Sequence, residues 1–424
     1  MLRAVVGINW GDEGKGKMVD MLSEMSDIVV RYQGGNNAGH TVVNEMGKFV
    51  LNLLPCGIFR GNVVNVMGNG MVIDIAHLCG ETGRLRERGV KISPENLKIS
   101  DRAIICMPYH VRMDCLEEER LADRKYGSTR RGISPVYGDK YMKKGLRMGD
   151  LFDPRDVLFD KVKDLLEYKN LIFEGVYNAE PNTAEEIFSW LEKYGGEIKP
   201  YVCDVTEYLD EAVRKGKNVM FEAQLGALRD IDFGIYPFTS SSNVISAYAP
   251  IGAGIPGRKV DYTLGVMKAY STCVGEGPFT CEMFGEEAEA LRAAGNEYGA
   301  ATGRPRRVGP FDVVASRYGV KVQGADELAL TKLDTISYMK KIPVCVAYEI
   351  DGERTDAFPT GCRLDRAKPV IEYMDGWGVD ISSCRRYGEL PEAARKYVEY
   401  IENAVDCKIK YVTVGPERDA CIEK

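Results

Sequence analysis

The sequence predicts an α/β fold in which short buried strands alternate with polar loops and helices. The clearest unit lies at the start of the chain, where Val5, Val6 and Ile8 have the apolar pattern of a buried strand. Glycines at positions 11, 14 and 16 follow, and the apolar residues of segment 18–25 then recur at helical spacing. A strand, a glycine-rich loop and a helix in this order are typical of α/β proteins that bind phosphate groups.

The composition is that of a folded chain. Hydrophobic residues make up 45% and charged residues 28% of the 424 positions, and an α/β chain of this length can share one continuous sheet. No run approaches the roughly eighteen apolar residues of a membrane span. The first strand begins at once, which leaves no room for a signal peptide and predicts a cytoplasmic protein. The net charge of -7 disfavours general nucleic-acid binding, which requires a basic excess.

The cysteines and histidines restrict the possible metal chemistry. The twelve cysteines are scattered, with no C-x-x-C pair and no Cys/His cluster, which disfavours structural zinc and iron–sulfur sites. Only three histidines are present, so few side chains compete for an imidazole role. The cysteines are expected to be reduced, and many to pack as small hydrophobic residues.

Segment Gly11–Lys17 fits the G-x-x-x-x-G-K part of a P-loop. Met18 stands where an ordinary P-loop has a Ser or Thr hydroxyl for magnesium, so this loop must recruit its metal differently. Asp12 is the candidate, because a carboxylate there can bind Mg²⁺ or take a proton from a second substrate. The alternative is a surface turn that leads into a helix.

A second glycine-rich segment, Gln33–Thr41, follows a short strand over 27–31. Its glycines permit close backbone approach to a ligand. Asn37 offers an amide suited to a base or sugar edge, and His40 can donate a proton to developing negative charge. The alternative is a flexible loop with one hydrogen-bonded histidine.

The remaining elements follow from local pattern. Strands are predicted over 49–51, 63–67, 103–106, 218–221, 261–268 and 409–414, and helices over 73–89 and about 394–405. Segment 153–216 is helical in pattern and includes a capping box, Thr183–Glu186, and we interpret it as an inserted helical subdomain. Polar loops at strand ends, such as Glu222–Gly226, are expected at the ligand-binding edge of the sheet.

Three further segments carry groups suited to anions and bases. Gly127–Pro135 combines hydroxyls, arginines and glycines, as a phosphate-binding loop does, although a charged run is usually a solvated surface. Gly299–Arg307 has three arginines in a glycine-bordered loop, which suits carboxylate or phosphate. In Thr331–Asp334, the Asp334 carboxylate can accept from both N1–H and the 2-amino group of guanine.

These segments together resemble the adenylosuccinate synthetase family, over essentially the whole chain. The matching motifs are Trp10–Lys17, Arg31–Thr41, Lys268–Thr272 and Thr331–Asp334, with Gly295–Gly299 and Val414–Pro416 in support. The resemblance implies a large, mostly parallel central sheet with a P-loop-like phosphate loop and helical subdomains. It implies one domain over 1–424 with a helical insertion around 110–216.

The resemblance also implies the reaction. Family members join IMP and L-aspartate with GTP and Mg²⁺ and release adenylosuccinate, GDP and phosphate, in the AMP branch of purine biosynthesis. Asp12 would take the purine N1 proton and bind Mg²⁺, with the carbonyl of Gly39 completing the metal shell. The O6 anion would attack the γ-phosphate while His40 stabilises the transferring group, and aspartate would then displace phosphate at C6. Family members are homodimers, and no nucleic-acid or membrane partner is expected.

The resemblance carries over three sets of binding residues. Those for GTP are Gly11, Glu13, Gly14, Lys15, Gly16, Lys17, Thr41, Arg306, Lys332, Leu333, Asp334, Thr413 and Gly415. Those for IMP are Asp12, Lys15, Asn37, His40, Thr129, Lys143, Gln224, Leu225, Ser240 and Arg304, with Lys143 reaching the site of the neighbouring subunit. Those for aspartate are Ala301, Thr302 and Arg304.

Two departures from the family pattern leave alternatives open. Leu225 stands where the family has a glutamine that contacts O6 and N1, and Lys143 replaces an arginine, which loses the bidentate fork. One alternative is therefore a paralogue that amidates another 6-oxopurine nucleotide, such as GMP or dGMP. The other is a non-catalytic GTP-binding module.

Overall fold

A ten-stranded sheet forms the centre of the molecule. The computed structural model describes residues 1–298 and 305–424. With strands numbered along the chain, the sheet order is β20-β19-β15-β11-β1-β10-β2-β5-β7-β9. All of these pairs are parallel except β19 with β20. The predicted α/β fold with a large, mostly parallel sheet is confirmed.

The strands of the described residues have the following bounds: β1 Leu2–Gly7, β2 Ile28–Arg31, β3 His40–Asn44, β4 Gly47–Leu51, β5 Val64–Met67, β6 Val72–Ile73, β7 Leu97–Ser100, β8 Ile104–Ile105, β9 Val202–Cys203, β10 Val219–Glu222, β11 Tyr262–Lys268, β12 Ser271–Cys273, β13 Arg307–Gly309, β14 Phe311–Asp312, β15 Glu327–Thr331, β16 Lys341–Ile350, β17 Glu353–Thr355, β18 Lys368–Asp375, β19 Ile409–Thr413 and β20 Cys421–Glu423. The helices are α1 Lys15–Leu22, α2 Ile75–Glu87, α3 Pro108–Leu121, α4 Ile133–Met142, α5 Arg155–Gly175, α6 Ala184–Ile198, α7 Val205–Arg214, α8 Ala249–Ala253, α9 Gly285–Gly295, α10 Val313–Gln323, α11 Cys362–Asp365 and α12 Glu392–Val405.

Helices cover both faces of the central sheet, which explains why its strands are apolar without alternation. On β1, Val5 packs into the core that includes Met18 of α1, whereas Ala4 and Val6 pack into the core that includes Leu209 of α7. A third core joins the outer part of the sheet to α9, α10 and α12. Strands buried on both faces are typical of parallel sheets.

The parallel arrangement places the ends of six strands at one edge of the sheet. Each of β1, β2, β10, β11, β15 and β19 runs directly into a segment that the sequence singles out. These are the loops that begin at Ile8, Tyr32, Ala223, Ala269, Lys332 and Val414. Ligands of open α/β sheets bind at this edge.

Five helices, α3 to α7, occupy the stretch from Pro108 to Arg214. The Thr183 side chain accepts from the Glu186 N–H at the start of α6, as expected of a helix N-cap. Short strand β9 interrupts the helices and pairs with β7 of the central sheet. The expected division into one domain with an inserted subdomain stays a prediction.

Most predicted elements are confirmed with shifts of one to three residues at their ends. All twelve cysteines lie in the described ranges and are free thiols. Within residues 1–298 and 305–424, no helix combines the length and the apolar character needed to cross a bilayer.

A buried ion pair joins three helices of the 108–214 stretch. His110 Nδ1 accepts from the Met107 N–H at 2.9 Å, so Nε2 carries the proton that it shares with Asp139 Oδ2 at 2.8 Å. The second oxygen of Asp139 pairs with the Lys169 ammonium. All three side chains are at most 1% exposed, so the loss of any one leaves a buried group without its partner.

We expect Asp139→Asn to lower the free energy of unfolding by about 3 kcal/mol, because the Lys169 ammonium remains buried without a counter-charge. Urea unfolding followed by circular dichroism measures the change. Asp160→Asn is the matched control, since Asp160 is 71% exposed in its pair with Lys163 and should leave the midpoint almost unchanged. Equal effects of the two substitutions would contradict the role given to the buried pair.

Candidate nucleotide-binding and catalytic site

The phosphate loop between β1 and α1 is held in shape by Glu13. Its Oε1 accepts from the backbone N–H groups of Asn9 and Gly11 at 3.1 and 2.8 Å. Its Oε2 accepts from the Lys15 ammonium at 2.6 Å, and both side chains are buried. Glu13 thus closes the turn and fixes Lys15 at the start of α1.

The loop backbone has an unusual path. Gly11, Asp12 and Gly14 have φ values of 104°, 58° and 92°, all in the left-handed region. Asp12 is the only one of the three with a side chain, and it is 28% exposed. A residue other than glycine is uncommon in this conformation, although aspartate adopts it more readily than most, and such positions cluster at functional sites.

Gly16 allows β3 to approach α1. A Cβ at this position would lie 2.9 Å from the Thr41 carbonyl oxygen and 3.2 Å from the His40 Cβ. The missing side chain therefore brings His40 and the exposed Thr41 beside the phosphate loop.

His40 is held by a buried carboxylate. Its Nδ1 makes a short hydrogen bond to Glu222 Oε1 at the end of β10. Glu222 also accepts from the Cys56 thiol at 3.0 Å and, through Oε2, from the Cys56 N–H at 2.8 Å. His40 Nε2 is buried without a hydrogen-bond partner among the described residues. One ring nitrogen is therefore fixed by the protein, and the other is available to a ligand.

The charge state of this pair follows from its burial. Burial lowers the pKa of His40 below its ordinary value, although Glu222 acts in the opposite direction. Burial opposes ionisation of Glu222 as well, but the bond with His40 and the nearby Arg31 hold its pKa below the ordinary value. Free His40 is therefore a neutral imidazole at pH 7 that donates from Nδ1, with an acceptor lone pair on Nε2.

Arg306 pairs with Asp12. Its Nε lies 3.0 Å from Asp12 Oδ2, at an angle that makes this an ion pair without an aligned hydrogen bond. Its Nη1 donates to Glu297 at 2.6 Å. The Arg306 guanidinium thus lies between two carboxylates, that of Asp12 in the phosphate loop and the buried one of Glu297.

Four of the residues expected to bind GTP meet at the ends of β15 and β19. The Lys17 ammonium donates to the carbonyls of Gly415 and Ala420 at 2.7 and 2.9 Å. The Lys332 N–H donates to the Thr413 hydroxyl at 3.0 Å. Burial lowers the pKa of Lys17 to about 8.

Asp334 has the form of a base-reading residue. It follows buried Leu333 in a short 3₁₀ turn, Leu333–Ile336. Its Oδ1 is buried without a hydrogen-bond partner among the described residues, and burial raises its pKa. An acceptor in this state can receive a hydrogen bond from a ligand.

A hydrogen-bonded chain connects three of the residues expected to bind IMP. The Gln224 amide donates to the Gly35 carbonyl at 2.6 Å, and the Gly35 N–H donates to the Asn37 side chain at 3.2 Å. Gln33 contacts the Gln224 backbone at 2.9 Å and the Ser242 hydroxyl at 3.2 Å, and Ser242 is 3.1 Å from Ser240. Gln224 Oε1 is buried without a partner among the described residues.

Leu225 lies against the phosphate loop. Its φ is 60°, and its Cα would be 3.3 Å from a Cβ at Gly11. The turn after β10 therefore packs on the turn after β1, with a leucine where the family pattern has a glutamine.

Thr129 and Lys143 lie on the 108–214 side of the molecule, and both are exposed. Asp114 holds the Thr129 loop, because it accepts from Ser128 Oγ at 2.7 Å and from the Gly132 N–H at 2.9 Å. Lys143 ends α4 with a φ of 61°. The residues assigned to the aspartate loop, Ala301, Thr302 and Arg304, lie outside the described residues.

Several residues that the structure brings into the site have no role predicted from the sequence. Glu222 and Arg31 lie at strand ends, inside or beside the matching motifs, and this position could have indicated that they belong to the site. No feature of the sequence pointed to Cys56. Arg31 is fully buried, with Nη1 on the Asn52 carbonyl at 2.5 Å and no hydrogen-bond partner for Nε or Nη2 among the described residues. Lys268 and Glu297, which contact each other, are two more residues whose place in the site was not predicted.

The donor groups at the loop fit magnesium. The partly exposed carboxylate of Asp12 and the carbonyl of the exposed Gly39 are both hard oxygen donors, which Mg²⁺ prefers together with substrate phosphates. Cys56, His40 and Glu222 also come together, but they are occupied in hydrogen bonds to one another.

The parallel sheet, the phosphate loop and the polar groups at one sheet edge define an α/β enzyme that binds nucleotide phosphates. Comparison with known proteins identifies the particular family. The family model for adenylosuccinate synthetase matches residues 4–422, and the chain belongs to that family of ligases.

Individual relatives agree with this assignment. The adenylosuccinate synthetases of Streptococcus gordonii and Caldanaerobacter subterraneus subsp. tengcongensis are each 44% identical to the chain, over 98% and 99% of its length and 96% and 98% of their own. The fully ligated adenylosuccinate synthetase of Plasmodium falciparum superposes with a TM-score of 0.93 at 35% identity, covering 100% of this chain and 99% of that one.

A more distant structure shares the fold alone. Cyanophage S-2L succinoaminodeoxyadenylate synthetase, solved with dGMP and with dATP as an energy donor, has a TM-score of 0.61 at 18% identity. The match covers 100% of this chain and 95% of that one.

We expect Glu222→Gln to lower the pKa of His40 further, because the carboxylate that favours the imidazolium is lost. Titration of labelled histidines by NMR measures it directly, since the chain has three histidines. His77 and His110, which contact other carboxylates, should titrate as in the parent protein. An unchanged His40 titration would show that Glu222 does not control its charge.

Proposed function

We propose that the chain joins L-aspartate to IMP at the expense of GTP and releases adenylosuccinate, GDP and phosphate. The observation that carries this proposal is the family match over residues 4–422, with 44% identity to two adenylosuccinate synthetases over nearly their full length. The retention of Asp12 and His40 supports it, because a non-catalytic GTP-binding module would need neither.

The chemistry has two steps. The 6-oxo group of a purine is a poor leaving group, and phosphorylation converts it into one. In the first step, Asp12 accepts the N1 proton, O6 attacks the γ-phosphorus of GTP, and GDP leaves. In the second step, the amine of aspartate attacks C6 and loses a proton, the C6–O bond breaks, and phosphate leaves.

Asp12 alone is too weak a base for this proton. The ordinary pKa of an aspartate, about 3.9, lies well below that of a purine amide N–H. The anion must therefore be stabilised as the phosphoryl group arrives, and Lys15 and Arg306 supply positive charge beside it. Arg306 must exchange its ion pair with Asp12 for contact with substrate.

The arrangement around His40 supports a role for this residue in the transfer. Its Nδ1 proton is engaged by Glu222, so Nε2 can donate to a phosphoryl oxygen only when the ring is an imidazolium. The negative charge of bound phosphates raises the pKa of a nearby imidazole. His40 therefore takes up a proton as the nucleotides bind and uses it to stabilise the transferring group.

The remaining assignments are part of the same proposal. Asp334 selects guanine, and Lys17, Lys332, Thr413 and Gly415 surround the GTP. Asp12 and the Gly39 carbonyl would hold Mg²⁺, which supplies positive charge to the phosphates when bound. Asn37, Thr129, Gln224 and Ser240 hold IMP, and Ala301, Thr302 and Arg304 hold aspartate. We also propose a cytoplasmic homodimer in which Lys143 reaches the partner's site, a role that suits its exposed position at the end of α4.

The substrate test compares IMP, GMP and dGMP in the presence of GTP, aspartate and Mg²⁺. We expect equal amounts of adenylosuccinate, GDP and phosphate with IMP and no product with either guanylate, because the relatives at 44% identity are adenylosuccinate synthetases. Liquid chromatography with mass spectrometry measures the products. Product from a guanylate alone would establish the paralogue suggested by Leu225, and GTP binding without aspartate-dependent phosphate release would establish a binding module.

We expect Asp12→Asn to reduce kcat by about 10³-fold, because an amide cannot accept the N1 proton, and to keep much of the affinity for GTP. Initial rates give kcat, and isothermal titration with GTP gives the affinity. Asp27→Asn is the matched control, since Asp27 precedes β2 at the opposite edge of the sheet and should leave kcat unchanged. Retained turnover in Asp12→Asn would exclude the base role.

A further inference from the structure

Two matching motifs have no role in the mechanism above. Lys268–Thr272 follows β11, and Gly295–Tyr298 ends α9 and the turn after it. They are 29 residues apart from Lys268 to Glu297, and the fold brings them into contact. The contact centres on Glu297, which is fully buried.

Glu297 holds four donors with two oxygens. Its Oε1 accepts from the ammonium groups of Lys268 and Lys332 at 2.9 and 2.7 Å and from the Tyr270 hydroxyl at 2.6 Å. Its Oε2 accepts from Arg306 Nη1 at 2.6 Å. We call these five residues the Glu297 cluster.

The cluster carries three positive charges around one carboxylate. Burial opposes ionisation of Glu297, but Lys268, Lys332 and Arg306 together hold its pKa well below the ordinary value. Burial lowers the pKa of Lys268 to about 8, and Glu297 acts in the opposite direction. Glu297 therefore stays ionised and keeps three cations together at one place.

The outer members of the cluster face the proposed GTP site. Lys332 is 33% exposed, precedes Leu333 and Asp334, and donates through its backbone to Thr413. Arg306 contacts Asp12 of the phosphate loop. Lys268 and Tyr270 are buried, and their side chains donate hydrogen bonds to Glu297 and, for Lys268, to Thr272.

We infer that Glu297 is a positioning residue that sets Lys332 and Arg306 for GTP. This inference rests on the proposed function, which assigns those two side chains to GTP. Lysine and arginine lose considerable rotamer freedom when they are fixed on a ligand, and a buried carboxylate that fixes them in advance reduces that cost. Lys268 and Tyr270 hold the carboxylate itself in place.

The test is the affinity for GTP and for IMP of the full chain with Glu297→Gln, measured by isothermal titration without aspartate. We expect the affinity for GTP to fall about tenfold, because the neutral amide cannot hold both cations. The affinity for IMP should stay within about twofold of the parent value. Loss of affinity for both nucleotides to the same extent, or for neither, would overturn the inference.

Glu327→Gln is the matched control. Glu327 also holds a tyrosine hydroxyl and two ammonium groups: Tyr262 at 2.7 Å, Lys408 at 3.5 Å and Lys410 at 3.2 Å. It lies at the start of β15, whereas Lys332 follows the end of that strand. The same loss of charge there should leave GTP affinity unchanged, and an equal loss would show that Glu297 acts only through general stability.

Two further measurements distinguish a variant that does not fold, and a failure of the proposed function, from a failure of the positioning role. If Glu297→Gln does not fold, as judged by circular dichroism, Glu297→Asp keeps the charge with a shorter reach and should weaken GTP binding about threefold; unchanged binding would overturn the inference. Ligation by the parent protein is assayed in parallel. Absence of ligation with selective weakening of GTP binding in the variant would reject the proposed function and still support the positioning role.

Discussion

The site depends on the parallel pairing of β1 with β10 on one side and β11 on the other. Four backbone pairs join β1 to β10, and five join it to β11, all in one direction. Because strand direction is shared, the phosphate loop after β1 is flanked by the turn with Glu222 and by the segment that begins at Lys268. A strand inserted in the opposite direction would send one of these groups to the far edge of the sheet.

At the edge of the sheet where these loops lie, three buried carboxylates each hold a cationic side chain or an imidazole in place. Glu13 holds Lys15, Glu222 holds His40, and Glu297 holds Lys332 with Arg306. Each carboxylate is at most 2% exposed, so each interaction acts where solvent screens charge least. The protein thereby fixes the donors in their places before any ligand arrives, which is the physical meaning of preorganisation.

The sequence allowed the fold class, the phosphate loop and eight of the described strands, among them β1, β2, β10 and β11 of the central sheet, to be predicted, because periodicity and glycine spacing are local properties. It did not allow the strand order, in which β10 lies between β1 and β2 although about 190 residues separate β2 from β10. For the same reason the partner of His40, 182 residues away, was not predictable. The roles of Lys268 and Glu297 were not predicted, because the sequence does not indicate that a cation and a carboxylate in two separate motifs are in contact.

The contacts of Lys17 also bear on synthesis of the chain. This lysine of the first loop takes its carbonyl partners from Gly415 and Ala420, and neighbouring Asp20 pairs with Arg418 at 2.5 Å, a separation of 398 residues. A ribosome makes the first loop long before it makes these partners. In a nascent chain that ends before residue 415, Lys17 of the phosphate loop therefore lacks both of these carbonyl partners.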